Sequence, residues 1–337
     1  MKICIFGAGA IGGHVAARLV AAKKDDICVV ARGSALQAIR SRGLTLRSAG
    51  ETIQAKPELV TDDASALPPQ DLVIVALKAP ALPAVAEALG ELIKPQGCAL
   101  FLVNGIPWWW RHGLPAPGGP LTLVDPDGRL WKHVKPERGL GGVVYSSNEL
   151  ESPGVINHTA NDKWLIGEPD GSSSARLLAV VLALRHAGIG AEATPDVHRE
   201  IWRKIVITSA GNSLSALTRL DFYELGAHPE TRALMMSVMR ETLAVAAALG
   251  YDLRGETDLE RLAKRAKSRA QQRPHSMLWD VLTNRPLEVE ALLGQTQAFA
   301  REHRVSVPTI DVILALLRGL DRAERYCGFT EGVVASR

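Results

Sequence analysis

The sequence predicts an α/β protein, in which an N-terminal doubly wound sheet is followed by an all-helical C-terminal domain. Three observations carry this prediction. A glycine turn joins an apolar run to a helix at the N-terminus, further apolar runs alternate with helical segments, and helical periodicity dominates from about residue 196 onward. Alternating strands and helices are typical of a parallel sheet with both faces covered, and long uninterrupted helical periodicity is typical of a helical domain.

Length and composition narrow the class of protein. The 337 residues exceed the roughly 250 to 300 at which a single core stops growing, which predicts two domains. The change to helical periodicity places them at 1–195 and 196–337. With 47% hydrophobic and 22% charged residues, the composition is that of a soluble globular protein. A net charge of +3 without a dense Lys/Arg block indicates no nucleic-acid partner.

The compartment is predicted from the N-terminus and the cysteines. Glycines and Arg18 interrupt the N-terminal apolar run, and no apolar stretch reaches membrane-helix length, so neither a secretory signal nor a membrane segment is predicted. Cys4, Cys28 and Cys98 fall in predicted buried strands, and Cys327 is distant from them. Cysteines without metal-ligand spacing predict core residues of a reducing compartment, and hence a cytoplasmic protein with no metal site.

The first structural unit is a strand, a glycine turn and a helix. Gly7 allows a tight turn, Gly9 lets the backbone approach a pyrophosphate, and Gly12 lets the helix pack closely on the strand. The helix N-terminus, with Ala10 and Ile11, offers N–H groups and partial positive charge to phosphates. This order predicts a Rossmann-type dinucleotide site, the alternative being an ordinary strand-to-helix turn.

The residues after the second strand predict the cofactor. An acid at the end of this strand suits the ribose of NAD, whereas a nearby arginine suits the 2′-phosphate of NADP. The chain has Arg32 there, while Asp25 and Asp26 precede the strand. The sequence therefore predicts NADPH, with a solvated loop arginine as the alternative.

Apolar runs and turn residues predict the remaining elements of the first domain. Strands are predicted at 27–31, 44–47, 52–60, 71–77, 98–103, 141–145, 154–158, 164–167 and 189–193, those from 141 to 167 being antiparallel. Helices are predicted at 34–42, 80–93 and 174–187.

Two polar residues follow strands that point toward the glycine turn. Lys78 comes after the run at 71–77, and Asn104 comes after the run at 98–103. Ligands bind outside the carboxyl ends of parallel strands. We therefore expect Lys78 to contact a cofactor phosphate or ribose, and Asn104 to contact the cofactor or the substrate. A lysine at a helix start and an Asn-Gly turn are the plain alternatives.

An irregular segment at 106–142 contains the consecutive residues Trp108, Trp109 and Trp110. Three consecutive side chains are not expected to face one core. We expect packing over the sheet edge, and the alternative is a pocket wall or a partner surface.

The helical half carries two polar stretches. Helices are predicted at 197–217, 231–249, 259–267, 287–303 and 309–326. Lys204, Thr208 and Asn212 recur every four residues and so lie on one helix stripe about 12 Å long. Ser276 and Glu288 lie in the second stretch. Spacing alone leaves a solvated helix face and a catalytic stripe both open.

Together these motifs resemble the ketopantoate reductase family over nearly the whole chain. The N-terminal glycine motif, Arg32, Lys78, Asn104 and the Trp-Arg-Lys sequence ending at Lys204 occur in the family's order, with Asn212, Ser276 and Glu288 after them. The resemblance implies NADPH-dependent reduction of 2-dehydropantoate, a 2-keto acid, on a Rossmann domain with a helical C-terminal domain.

The resemblance also implies roles for residues. Lys204 matches the catalytic lysine and Glu288 the active-site glutamate, while Asn104, Asn212 and Ser276 match substrate-binding positions. Arg32 and Lys78 match positions that contact cofactor phosphate. A lysine suits this chemistry because hydride addition to a keto carbon leaves an alkoxide that needs a proton.

The chain departs from the family at the expected substrate site. Thr208, also taken as substrate-binding, stands where the family typically shows asparagine, and Phe222 occupies the region of a further expected asparagine. A paralogue reducing another 2-keto acid or an imine, as opine-type dehydrogenases do, is therefore the alternative. A non-catalytic NADPH-binding regulator is a third possibility, and a homodimer is a further expectation.

Overall fold

The fold was analysed in a computed structural model that describes residues 1–115, 118–259, 261–262 and 276–325. The chain divides into two compact units, Met1–Glu200 and Ile201–Arg337. All strands among the described residues lie in the first unit, and the described elements of the second unit are helices. The predicted α/β class with a helical C-terminal region is confirmed.

The first unit is built on a sheet of ten strands. In chain order they are β1 (Lys2–Phe6), β2 (Asp26–Val30), β3 (Leu44–Ser48), β4 (Glu51–Ala55), β5 (Leu59–Thr61), β6 (Gln70–Val75), β7 (Ile93–Phe101), β8 (Gly139–Ser152), β9 (Val155–Gly167) and β10 (Ala191–Ala193). Their order is β4-β3-β9-β8-β7-β6-β1-β2-β5, and β10 pairs with β9. Along the sheet, the six neighbouring strands β8, β7, β6, β1, β2 and β5 are parallel, whereas β9 runs antiparallel to β8.

Two strand predictions need correction. The strand predicted at 52–60 is two strands at opposite edges of the sheet, β4 and β5. Pro57 lies between them and cannot donate a ladder hydrogen bond, so the strand ends there. The strands predicted at 154–158 and 164–167 are one long strand, β9, paired antiparallel with β8.

The helices of the first unit are α1 (Ala10–Ala22), α2 (Gly33–Arg42), α3 (Ala86–Leu92), α4 (Arg129–His133) and α5 (Ala175–His186), and α6 (Val197–Thr218) starts in it. The helix predicted at 80–93 begins as two 3₁₀ turns and is α-helical only in α3. Pro80 and Pro83 stand at the starts of those turns, because proline lacks the N–H that a continuing helix requires.

The hydrophobic core of the first unit lies between the sheet and helix α1. Ile3 and Ile5 of β1 and Val15 of α1 are fully buried in one cluster with Ile74 of β6. Burying each such side chain contributes about 1.5–3 kcal/mol. The core therefore holds the strand and the helix that flank the glycine turn in fixed positions.

The three consecutive tryptophans are all buried, and they pack against different neighbours. Trp108, Trp109 and Trp110 are each at most 2% exposed. Trp108 packs edge-on against Phe101 of β7, whereas Trp109 and Trp110 both contact His198. The segment forms a turn, in which the Trp110 N–H donates to the Pro107 carbonyl, so consecutive side chains can reach different neighbours.

The described helices of the second unit follow α6. They are α7 (Phe222–Ala227), α8 (Pro229–Ala248), α9 (Ser276–Leu282), α10 (Gln295–Glu302) and α11 (Pro308–Arg325), with a π-helical turn at Glu290–Gly294. Residues 263–267 of the helix predicted at 259–267, and also Tyr326 and Cys327, lie outside the described residues. Within the part of the chain that is described, no helix has the length and apolarity to cross a bilayer.

Candidate functional site

The glycine turn has the backbone conformation that its spacing predicts. Gly7 follows β1 with φ +105°, which strains any residue with a side chain. A Cβ there would also lie 2.8 Å from the carbonyl oxygen of Ala76 and 2.7 Å from the Leu77 side chain. A glycine is therefore required for the chain to leave β1 at this angle.

Gly12 and Gly9 play different steric parts. A Cβ on Gly12 would collide with the carbonyl oxygen of Gly7, so glycine lets α1 pack directly on the turn. A Cβ on Gly9 would have no atom within 4 Å. The space beside Gly9 is open to a ligand, which suits close approach of a pyrophosphate.

The first turn of α1 is suited to an anion. Helix α1 starts at Ala10 after the N-cap Gly9, with no capping side-chain hydrogen bond and no acid in its first turn. The first intrahelical hydrogen bond in this turn runs from the Gly13 N–H to the Gly9 carbonyl. The N–H groups of Ala10, Ile11 and Gly12 thus have no acceptor within the helix.

The predicted polar residues follow the carboxyl ends of aligned parallel strands. The Gly7 N–H donates to Val30 and the Ala76 N–H donates to Phe6, each at 2.9 Å, so the ends of β1, β2 and β6 are level. Arg32 follows β2, Lys78 follows β6 and Asn104 follows β7. Arg32 is exposed, whereas Lys78 and Asn104 are partly buried.

A cavity of about 350 Å³ lies at the same edge of the sheet. Its lining combines polar and apolar side chains, among them Arg32, Asp62, Asp63, Ser65, Val85 and Leu92. The cavity was not predicted from the sequence, because its lining comes from segments that are distant in the chain, around Arg32, Asp63 and Val85. The Asp-Asp-Ala-Ser sequence after β5 was the available signal, since the carboxyl end of β5 lies beside that of β2.

In the second unit, Lys204 carries an unusual charge environment. Burial of its ammonium group lowers the pKa of Lys204 from 10.5 to about 8, and the negative charge of Glu288 opposes this shift. Glu288 itself is 4% exposed. The structure therefore brings together the lysine and glutamate that the sequence analysis singled out.

The stripe that contains Lys204 is not a solvated helix face. Thr208 is partly exposed and donates its hydroxyl hydrogen to the Lys204 carbonyl at 2.9 Å. Asn212, on the same stripe, is 3% exposed. The stripe is therefore largely covered by protein.

Comparison with known proteins decides the family. The model of the ketopantoate reductase PanE/ApbA family matches residues 3–171, and its C-terminal model matches 196–321. The chain belongs to the ketopantoate reductase family. Members of this family are oxidoreductases, and so is this chain.

The similarity to individual proteins extends over nearly the whole chain. A 2-dehydropantoate 2-reductase of Mesorhizobium japonicum is 38% identical over 97% of this chain and 99% of its own length. The structure of a chain from Ralstonia solanacearum MolK2, described as a ketopantoate reductase, has a TM-score of 0.88 at 36% identity, covering 96% of this chain and 98% of its own. A D-mandelate dehydrogenase solved with NADH and anilino(oxo)acetate shares the fold, with a TM-score of 0.80 at 20% identity, covering 96% and 100%.

Ser276 and Phe222, two further positions considered for the substrate site, have settings different from that of the Lys204–Glu288 pair. Ser276 is exposed at the first residue of α9, and within the described residues no hydrogen bond or ion pair joins it to that pair. Phe222 is buried at the start of α7. The preceding Asp221 caps that helix by accepting from the Glu224 N–H at 2.8 Å. Asp221 and Phe222 therefore stabilise the start of α7, and neither supplies the side-chain amide of the asparagine expected there.

Proposed function

We propose that the protein is an NADPH-dependent reductase of a 2-keto acid. The substrate we favour is 2-dehydropantoate (ketopantoate), which would be reduced to pantoate. The observation that carries the proposal is the Lys204–Glu288 pair, in which the pKa of Lys204 is lowered to about 8. A group with a pKa near neutral pH is suited to general acid catalysis.

The first unit fits a dinucleotide cofactor. The open space at Gly9, the uncapped first turn of α1 and the close packing at Gly12 form a cradle that a Cβ would fill. Gly7, Gly9, Ala10, Ile11 and Gly12 would hold the pyrophosphate.

The adenosine half would use the cavity beside β2 and β5. Val85 and Leu92 offer apolar surface to a base, and Arg32 lines the same cavity and is suited to a 2′-phosphate. Lys78 and Asn104 would contact the cofactor from the ends of β6 and β7. Arg32 is the support for NADPH over NADH.

The chemistry requires a hydride and a proton at the keto group. When bound, the nicotinamide cofactor would supply the hydride. Lys204 would donate the proton to the oxygen that becomes a hydroxyl, and its positive charge would stabilise that oxygen as negative charge develops. Glu288 would hold the ammonium in place and accept a hydrogen bond from a substrate hydroxyl.

The remaining polar groups would bind the substrate. Asn212 has a buried amide suited to a carboxylate or hydroxyl, and Asn104 and Ser276 would contribute further hydrogen bonds. Thr208 donates its hydroxyl hydrogen to the Lys204 carbonyl. Toward a substrate it therefore offers only acceptor lone pairs, whereas an asparagine there would also offer N–H donors. This difference favours a second candidate, reduction of a related 2-keto acid that presents a donor at that position.

Three further expectations stay proposals. The two functional domains would be residues 1–195 and 196–337, the location would be the cytoplasm, and the chain would form a homodimer. None of the chemistry above depends on them.

A substrate screen tests the proposal. Oxidation of NADPH and of NADH is followed at 340 nm with ketopantoate, with straight-chain and aromatic 2-keto acids, and with keto acid and amine mixtures that form imines. Rapid turnover of ketopantoate with NADPH is expected. A preference for NADH contradicts the use of Arg32, and tight NADPH binding without turnover on any substrate supports a regulator instead.

A further inference from the structure

Glu288 lies between two connections to the last described helix, α11. On one side, the backbone N–H of Leu287 donates to Asp321 Oδ1 at 3.0 Å. On the other side, Glu290 accepts two hydrogen bonds from Arg318, Nε to Oε1 at 2.8 Å and Nη2 to Oε2 at 2.7 Å. Arg318 and Asp321 are three residues apart on α11 and so lie on one face of it. The segment that carries Glu288 is therefore tied to α11 on both sides.

The backbone after Glu288 is unusual. Residues Glu290–Gly294 form a π-helical turn, a rare conformation that is frequent at functional sites. A Cβ on Gly294 would collide with the Glu290 carboxylate and lie 3.4 Å from Arg318 Nη2. Glycine at this position thus leaves the room in which Glu290 meets Arg318.

We propose that Arg318 is a positioning residue, which holds Glu290 and through it the turn that aims the Glu288 carboxylate at Lys204. This inference rests on the proposed function, in which Lys204 and Glu288 form the acid-base pair. Arg318 acts through Glu290 and contacts neither substrate nor reacting atoms.

The physical reason is the distance dependence of a charge interaction. Among the described residues, Glu288 is the charged group that raises the pKa of Lys204, opposing the burial that lowers it. Its effect weakens as the carboxylate moves away from the ammonium. Without a fixed Glu290, the Glu288 carboxylate would sample more distant positions, and the pKa of Lys204 would fall.

The test measures the pKa of Lys204 without turnover. Trace acetic anhydride labels lysines competitively over a pH series, and mass spectrometry reads the acetylated fraction at Lys204. Arg318→Lys keeps the positive charge but loses the two-pronged contact. A change in the pKa of Lys204 would then report a change in the position of Glu288 and not the loss of a charge. We expect the pKa of Lys204 to fall by at least about 0.5 in this variant.

A matched substitution controls for the loss of an arginine. Arg254 makes the same two-pronged contact with Asp252, at 2.9 and 2.6 Å, in an exposed turn of the same unit. Arg254→Lys should leave the pKa of Lys204 at the wild-type value. An equal fall in both variants would overturn the positioning role.

A pair of glycine substitutions provides a second test if Arg318→Lys does not fold. Gly294→Ala forces the Glu290 carboxylate out of its place and should lower the pKa of Lys204 as well. Gly319→Ala, on α11, adds a Cβ with no atom within 4 Å and should have no effect. An unchanged pKa in Gly294→Ala would contradict the proposal.

The two proposals can fail separately. A Lys204→Ala variant that remains active refutes the proposed function, while a lowered Lys204 pKa in Arg318→Lys still supports the positioning role. An inactive Lys204→Ala together with an unchanged Lys204 pKa in Arg318→Lys supports the function and refutes the positioning role.

Discussion

The glycine turn and the Lys204–Glu288 pair are built in opposite ways. The turn is made by backbone, from residues contiguous in sequence, and its specificity is steric, since a Cβ on Gly12 collides with the Gly7 carbonyl. The pair is made by two side chains from distant parts of the chain, and its specificity is electrostatic, because burial and Glu288 set the pKa of Lys204. Ligand binding at a backbone site does not depend on protonation, but added side-chain atoms block it. The function of a charged pair depends on protonation and is less sensitive to added atoms.

The difference predicts that changes in one region leave the other property intact. Added carbon atoms at the turn should weaken cofactor binding without altering the titration of Lys204. Changes at the pair should slow turnover without altering cofactor affinity. A variant that alters both together would break this comparison.

Removal of the Lys204 amine should have the largest effect. Lys204→Ala is expected to lower turnover by at least about 100-fold, the usual scale for loss of a general acid. The NADPH dissociation constant, measured by cofactor fluorescence, should stay near the wild-type value. Lys94→Ala removes a lysine from a surface ion pair with Asp71 and is the control. A fully active Lys204→Ala enzyme would refute its role.

Gly9→Ala should separate folding from binding. The added Cβ meets no protein atom within 4 Å, and φ at Gly9 is −75°, so thermal stability should remain close to wild type. NADPH affinity should fall about tenfold or more, because the methyl occupies the space needed for close approach of the pyrophosphate. Isothermal titration calorimetry measures this.

The control for Gly9→Ala is Gly255→Ala in the second unit, where an added Cβ also meets nothing within 4 Å. That variant should bind NADPH as the wild type does. Unchanged NADPH affinity in Gly9→Ala would place the pyrophosphate elsewhere.

Arg32→Ala should have the smallest effect, confined to cofactor choice. Loss of a charge-assisted contact to the 2′-phosphate is expected to weaken NADPH binding about fivefold while leaving NADH binding unchanged. Arg42→Ala, at the other end of α2, is the control. Equal losses of affinity for NADPH and NADH would mean that Arg32 does not bind the 2′-phosphate.

The sequence predicted elements whose causes are local. The glycine turn could be read atom by atom, because its geometry depends on neighbours in the chain. The placement of β4 and β5 at opposite edges of the sheet could not be read, because period and composition do not say where a strand pairs. The partners of the tryptophans could not be predicted for a similar reason, since Trp109 and Trp110 contact His198, which is remote in sequence.

The candidate site divides in the same way. The four-residue spacing of Lys204, Thr208 and Asn212 placed them on one helix stripe, but spacing could not tell a solvated face from a buried one. The lowered pKa of Lys204 and the proximity of Glu288 are tertiary effects. The cavity beside Arg32 was not predicted because its lining residues, among them Asp63 and Val85, are distant from Arg32 in sequence.

The pH dependence of ketopantoate reduction at saturating NADPH tests the central claim most directly. If protonated Lys204 is the acid, kcat/KM for ketopantoate should be constant at lower pH and fall tenfold per pH unit above about 8, the pKa of Lys204 before substrate binds. In Glu288→Gln the fall should begin at lower pH, because the carboxylate that raises this pKa is gone. A wild-type kcat/KM that does not fall up to about pH 10, the ordinary range of a lysine, would contradict the account.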